Sequence, residues 1–218
     1  MDAVWFAILS LSIIPVALFG GIRFSKITPS WYPFIFCCWV GAANELISFL
    51  LTSLHYSTNI NNNIYVLMEA VLIFWQFCNW QVFPSGKKIF YPLLAVTIVW
   101  WLVENISYQR IFSVSYYFRI FYSFLIVIIS IQYSSTIIIT YRRPLLKNAA
   151  YLVCAGFIIF YTYKILVEIS WLYGFNATPA FRINVYTILA FINCLINLLY
   201  LTAIIWVPSK QHSSSSSY

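Results

Sequence analysis

Charge is what this chain has least of: Asp, Glu, Lys and Arg make up 8% of its 218 residues, and only five of them are acidic. Soluble globular domains carry roughly 25%, so this composition cannot furnish an ordinary water-exposed surface. Histidine occurs only at His55 and His212, which leaves little basis for a histidine metal site or a Ser-His-Asp triad. There is no G-x-S-x-G, no H-E-x-x-H and no phosphate-binding glycine loop, so the common soluble-enzyme chemistries are not encoded. The cysteines (Cys37, Cys38, Cys78, Cys154, Cys194) all lie in apolar stretches without C-x-x-C or metal-ligand spacing, and reduced thiols are expected. No cofactor and no metal is implied.

What is abundant is apolar and aromatic: 62% of residues are hydrophobic and 21% are Phe, Trp or Tyr. A hydrocarbon core of about 30 Å needs about 20 apolar residues per helix. That yardstick predicts seven spans, at 3–22, 31–54, 63–83, 89–108, 114–141, 149–173 and 181–207. The fold class expected is all-α, a seven-transmembrane-helix bundle forming one membrane domain over 1–207, with a disordered Ser-rich tail at 208–218. The first span has no basic residues before it and exceeds the length of a signal-peptide core, so it is expected to be retained. Pro15 in its middle predicts a bend.

Basic residues set the expected orientation. Arg23, Lys26, Lys87, Lys88, Arg142, Arg143, Lys147 and Lys210 fall on one side, against Arg110, Arg119 and Arg182 on the other. The positive-inside bias then puts the N-terminus outside and the C-terminus in the cytoplasm. The same distribution accounts for the net charge of +7 without any nucleic acid. Trp31, Trp80 and Trp206, at inner span ends, are expected to sit in an interfacial belt.

Glu45, Glu69, Glu104 and Glu168, four of the five acidic residues, lie inside spans. A charge at the centre of a bilayer costs about 3 kcal/mol or more, so such groups turn toward a protein interior or a water-filled cavity. Counting from the span ends places all four in one layer of the outer half, together with Lys164 and Arg119. Helical spacing groups Gly41, Glu45, Ser48 and Thr52 on one face, Tyr65, Glu69 and Gln76 on a second, and Tyr161, Lys164 and Glu168 on a third. Lys164 and Glu168 stand at i, i+4 and are positioned to pair.

The candidate ligand or proton pocket therefore comprises Glu45, Glu69, Glu104, Glu168, Lys164, Arg119, Asn44, Tyr65 and Tyr161. A polar stripe on the seventh span, Tyr186, Asn193, Asn197 and Tyr200, reads either as interhelical glue or as a path from that pocket toward the cytoplasm. The competing reading of the buried charges is a register lock between helices. Asn105-Ile106-Ser107 and Asn176-Ala177-Thr178 match the glycosylation pattern and would face outward.

Asn44-Glu45 and Tyr65-Val66-Leu67-Met68-Glu69 are similar to stretches in small seven-span membrane proteins of bacteria, over about a quarter of the chain. The resemblance implies a multi-pass protein of the bacterial inner membrane and no particular activity. Span count and direction also look like those of rhodopsins and G-protein-coupled receptors. The seventh span has no lysine for a retinal Schiff base, however, and the receptor motifs D-R-Y and N-P-x-x-Y are missing.

Three functions follow from the residues. The first is a binding or sensing module for a small polar or amphipathic ligand, signalling to a cytoplasmic partner through the basic loops. The second is a small proton- or solute-coupled transporter. The third and least favoured is an intramembrane lipid-modifying enzyme, which needs two carboxylates converging on one apolar cavity. Binding is preferred over catalysis, and the bilayer itself is the one partner the composition demands.

Overall fold

The computed structural model describes residues 9–83, 87–141, 144–173 and 178–209. Seven α-helices follow one another: α1 (Ile13–Arg23), α2 (Tyr32–Ser53), α3 (Asn59–Asn79), α4 (Lys87–Leu102), α5 (Tyr116–Thr140), α6 (Ala149–Leu172) and α7 (Pro179–Trp206). Among the described residues there is no strand, only an isolated antiparallel bridge between Ile27 and Ser209. Among the described residues five helical segments are long and apolar enough to cross a membrane, an architecture compatible with an integral membrane protein. The other two differ from the even spans expected. The described part of α1 is only 11 residues, and α3 carries Asn59, Asn61, Asn62, Asn63, Asn79, Glu69 and Gln76, too polar a set to count with the rest.

Local chemistry explains several element boundaries. Pro15 has no N–H for the Leu11 carbonyl, and the chain makes a turn at Leu11–Ser12, where Ile14 N donates to that carbonyl at 3.0 Å. The expected bend thus falls one turn before the proline. The start of α2 is fastened by Gln76 of α3, whose Oε1 accepts from Phe34 N at 2.9 Å while its Nε2 donates to Ser30 O at 2.8 Å. An orphan donor of a helix N-terminus is served from a neighbouring helix. The third helix begins at Asn59, four residues before the expected span, because its asparagines find protein partners, Asn59 in the α4–α5 connector and Asn61 on α2.

The core is aromatic. Phe34, Phe74, Phe77, Phe118, Tyr122, Phe157 and Tyr161 are buried between the helices. Trp31 joins them, standing 5.0 Å from Trp80 in an edge-on contact. These two rings were expected at the lipid interface. They pack inward because the short turn Pro29–Trp31 tucks the chain under α3. Trp206 remains exposed, with Lys147 Nζ 5.6 Å from its ring. Helix α5 packs most extensively on α6. Ser123, Ser130 and Ser134 are buried on α5, and side chains that small allow a close approach. Helix α4 leans on α3 and meets α5 toward its C-terminal end, where Trp100 stacks on Phe121 at 4.7 Å.

The connectors meet at two ends. Asn59 Nδ2 donates to Phe112 O at 2.9 Å, joining the α2–α3 and α4–α5 connectors. At the opposite end Thr28 N donates to Pro208 O at 3.4 Å. There Arg23 donates to the carbonyls of Ile204, of Ile205 at 2.7 Å and of Val207 at 3.4 Å, satisfying the last turn of α7. Replacing Arg23 with methionine should cost about 1.5–3 kcal/mol, the range for hydrogen bonds to a charged group. The check is the thermal midpoint in detergent, and an unaltered midpoint would show that α7 needs no such cap.

Candidate functional site

The ionisable residues inside the helices form two groups. Near the end where Asn59 meets Phe112, Arg119 Nη1 lies 3.4 Å from Glu168 Oε1, and Nη2 lies 3.3 Å from Asn63 Oδ1. Asn63 is fully buried, and its Nδ2 donates to the carbonyls of Arg110 (3.2 Å), Ile111 (3.1 Å) and Ser113 (2.6 Å). Beside it, α4 ends in a π-helical turn, Val103–Ser107, whose wider winding turns both Glu104 and Asn105 inward. Glu104 accepts from Tyr117 N at 3.2 Å and Phe118 N at 2.6 Å, so it caps α5. Asn105 accepts from Ser115 Oγ at 2.6 Å and is fully buried, which closes the first glycosylation sequence. Asn176 of the second lies outside the described residues, as does the side chain of Arg182.

The second group is deeper, around Glu69, ten residues into α3 and so about 15 Å from its start. Tyr65 OH donates to Oε1 at 2.7 Å and Tyr122 OH to Oε2 at 2.7 Å. Lys164 Nζ stands 3.3 Å from Oε2 and also donates to the Tyr122 hydroxyl. The rings of Tyr122, Tyr161 and Phe160 surround the ammonium at 5.0, 5.4 and 5.6 Å. Lys164 therefore does not take up its i, i+4 neighbour. It faces Glu69, and Glu168 turns to Arg119. Lysine before glutamate is the poorer order along a helix, and each group finds a partner across the interface instead.

A cavity of about 70 Å³ opens beside Glu69, walled by α1, α2, α3, α6 and α7. Its polar lining is Glu45, Glu69, Tyr65, Tyr161, Asn193, Asn197 and Tyr200. Glu104, Arg119, Glu168 and Asn44, expected in the same pocket, are elsewhere, and Lys164 does not line it but stands behind Glu69 as its partner. Asn44 Oδ1 accepts from Asn61 Nδ2 at 2.8 Å between α2 and α3. Tyr186 is also away from it, its ring 5.6 Å from that of Trp171. Asn197 is glue as well as lining, since its Nδ2 donates to Ser12 Oγ at 2.8 Å. Tyr200 is pressed against Gly156, where a Cβ would come within 2.6 Å of its ring.

Glu45 is half-buried in this lining, within reach of the Ser10 hydroxyl. Among the described residues no basic group stands within 4.0 Å of it, and residues 1–8 contain no Lys, Arg or His. The residues that the sequence reading missed are Tyr122 and Asn63. Tyr122 stands one helical turn beyond Arg119, and no pattern sets it apart from the other tyrosines. Asn63 could have been noticed as an amide at the start of an apolar run.

Among the described residues no group of three or more His, Cys, Asp or Glu could hold a metal ion. No protein-family model matches the chain, and neither the curated proteins nor the solved structures contain a match to it.

Proposed function

We propose that the protein is a seven-span membrane protein, N-terminus outside and C-terminus cytoplasmic, that binds a proton or a small cation at Glu45 as a sensing module. The basic residues gathered at one set of connectors support the orientation. One observation carries the ligand. Two carboxylates line one cavity, and while Glu69 is matched by Lys164 and two tyrosines, no base stands within 4.0 Å of Glu45 among the described residues. A carboxylate that is partly withdrawn from water and lacks a base is costly to keep charged, and a proton or cation removes that cost. Size narrows the ligand further. Sites for drug-sized molecules span about 300–1,000 Å³, whereas about 70 Å³ suits a few waters, an ion or a small amine. An amphipathic ligand does not fit this hollow.

A carrier is the second reading, favoured by Asn193, Asn197 and Tyr200, which continue the polar lining along α7. The enzyme reading gains no support, because Glu69 is fully engaged and leaves no acid and base pair. Glu45→Gln should abolish cation- or proton-dependent thermal stabilisation in detergent, measured across alkali cations, methylammonium and pH. Glu168→Gln, outside the cavity, should retain it. Proton and cation flux into liposomes separates carrier from sensor. If Glu45→Gln and the parent protein respond alike in every assay, the cavity has no ligand role.

A further inference from the structure

Toward the C-terminal end of α4, where Trp100 stacks on Phe121 of α5 at 4.7 Å, a groove of about 760 Å³ runs along the outer face of the helix. Val96, Val99, Trp100 and Val103 line it at i, i+3, i+4 and i+7, a continuous apolar stripe, and all four are more than 40% exposed. At its end, in the α4–α5 connector, Arg110 holds its guanidinium 5.3 Å from the ring of Tyr117. Among the described residues no carboxylate lies within 4.0 Å of Arg110. Glu104 also borders the groove, but both of its oxygens accept from backbone N–H groups at the start of α5. Tyr108, Phe112 and Tyr117 are exposed at the same end, the aromatic pattern of a headgroup level.

The geometry points to a bound anionic glycerophospholipid, with one acyl chain lying along the α4 stripe and its phosphate on Arg110. Three features select this occupant. The apolar length of the groove rejects a water-soluble anion. A guanidinium with no carboxylate within 4.0 Å among the described residues matches a phosphate through two parallel hydrogen bonds. A zwitterionic headgroup would bring its ammonium against the same arginine, so the net-negative lipid is preferred. The volume falls within the range of built ligand sites, about 300–1,000 Å³. The site is separate from the cavity at Glu45, and its occupancy does not depend on the cation reading.

The test is native mass spectrometry of detergent-purified protein exchanged against equal amounts of phosphatidylglycerol and phosphatidylcholine. The parent protein should retain the phosphatidylglycerol about fivefold better, the effect of one basic group. Arg110→Gln should lose that preference, and Arg110→Lys should keep part of it. Val99→Trp, which fills the groove from an exposed position, should lose both lipids while helical content stays unchanged. Equal retention of the two lipids by the parent protein overturns the proposal. Unchanged retention by Val99→Trp overturns it independently, even if Arg110→Gln fails to fold.

Discussion

Replacing Lys164 with methionine should destabilise the bundle by about 3–5 kcal/mol, the cost of leaving one partner of a buried ion pair alone. The side chains of Lys164 and Glu69 are only 11% and 7% exposed, so water cannot take over the lost contact. Methionine fills the same aromatic cradle of Tyr122, Tyr161 and Phe160, and packing loss is therefore a minor part of the effect. The double variant Glu69→Gln/Lys164→Met should recover most of the deficit, because a neutral amide can still bond to the two tyrosine hydroxyls. Denaturant unfolding in detergent measures both. A single variant as stable as the parent would mean that Glu69 is already served without the lysine; a double variant no better than the single would put the loss in packing.

Asn63→Leu is expected to cost about 3 kcal/mol or more, since leucine has nearly the same shape and none of the donors. Three connector carbonyls lose a shared amide, each buried unsatisfied group costing about 1–3 kcal/mol unless it reaches water. Arg119 loses an acceptor in the same change. The damage should be local before it is global. Hydrogen exchange in residues 109–115 should accelerate at temperatures where α6 and α7 keep their protection. Uniform acceleration, or none, would show that the connector is held by other contacts.

Helical period disclosed which residues of this chain share a face, and the face of Gly41 and Glu45 does meet Tyr65 and Glu69 across one cavity. Period cannot choose between partners on the same helix and on another. For that reason the pairing of Lys164 with Glu69 was out of reach, although both residues stood out as buried charges. Counting from span ends places Glu69 six residues into its helix, whereas it is ten residues in, because Asn59–Asn62 continue the helix instead of forming a loop. Glu104 was legible as a buried acid but not as a cap, since its role depends on a π turn that shifts the facing of adjacent residues. The break before Pro15 was readable, because a missing N–H acts within one turn.

The hooking of Arg23 onto the end of α7, with the Ile27–Ser209 bridge below it, makes the first and last helices behave as neighbours in a hoop rather than as loose ends.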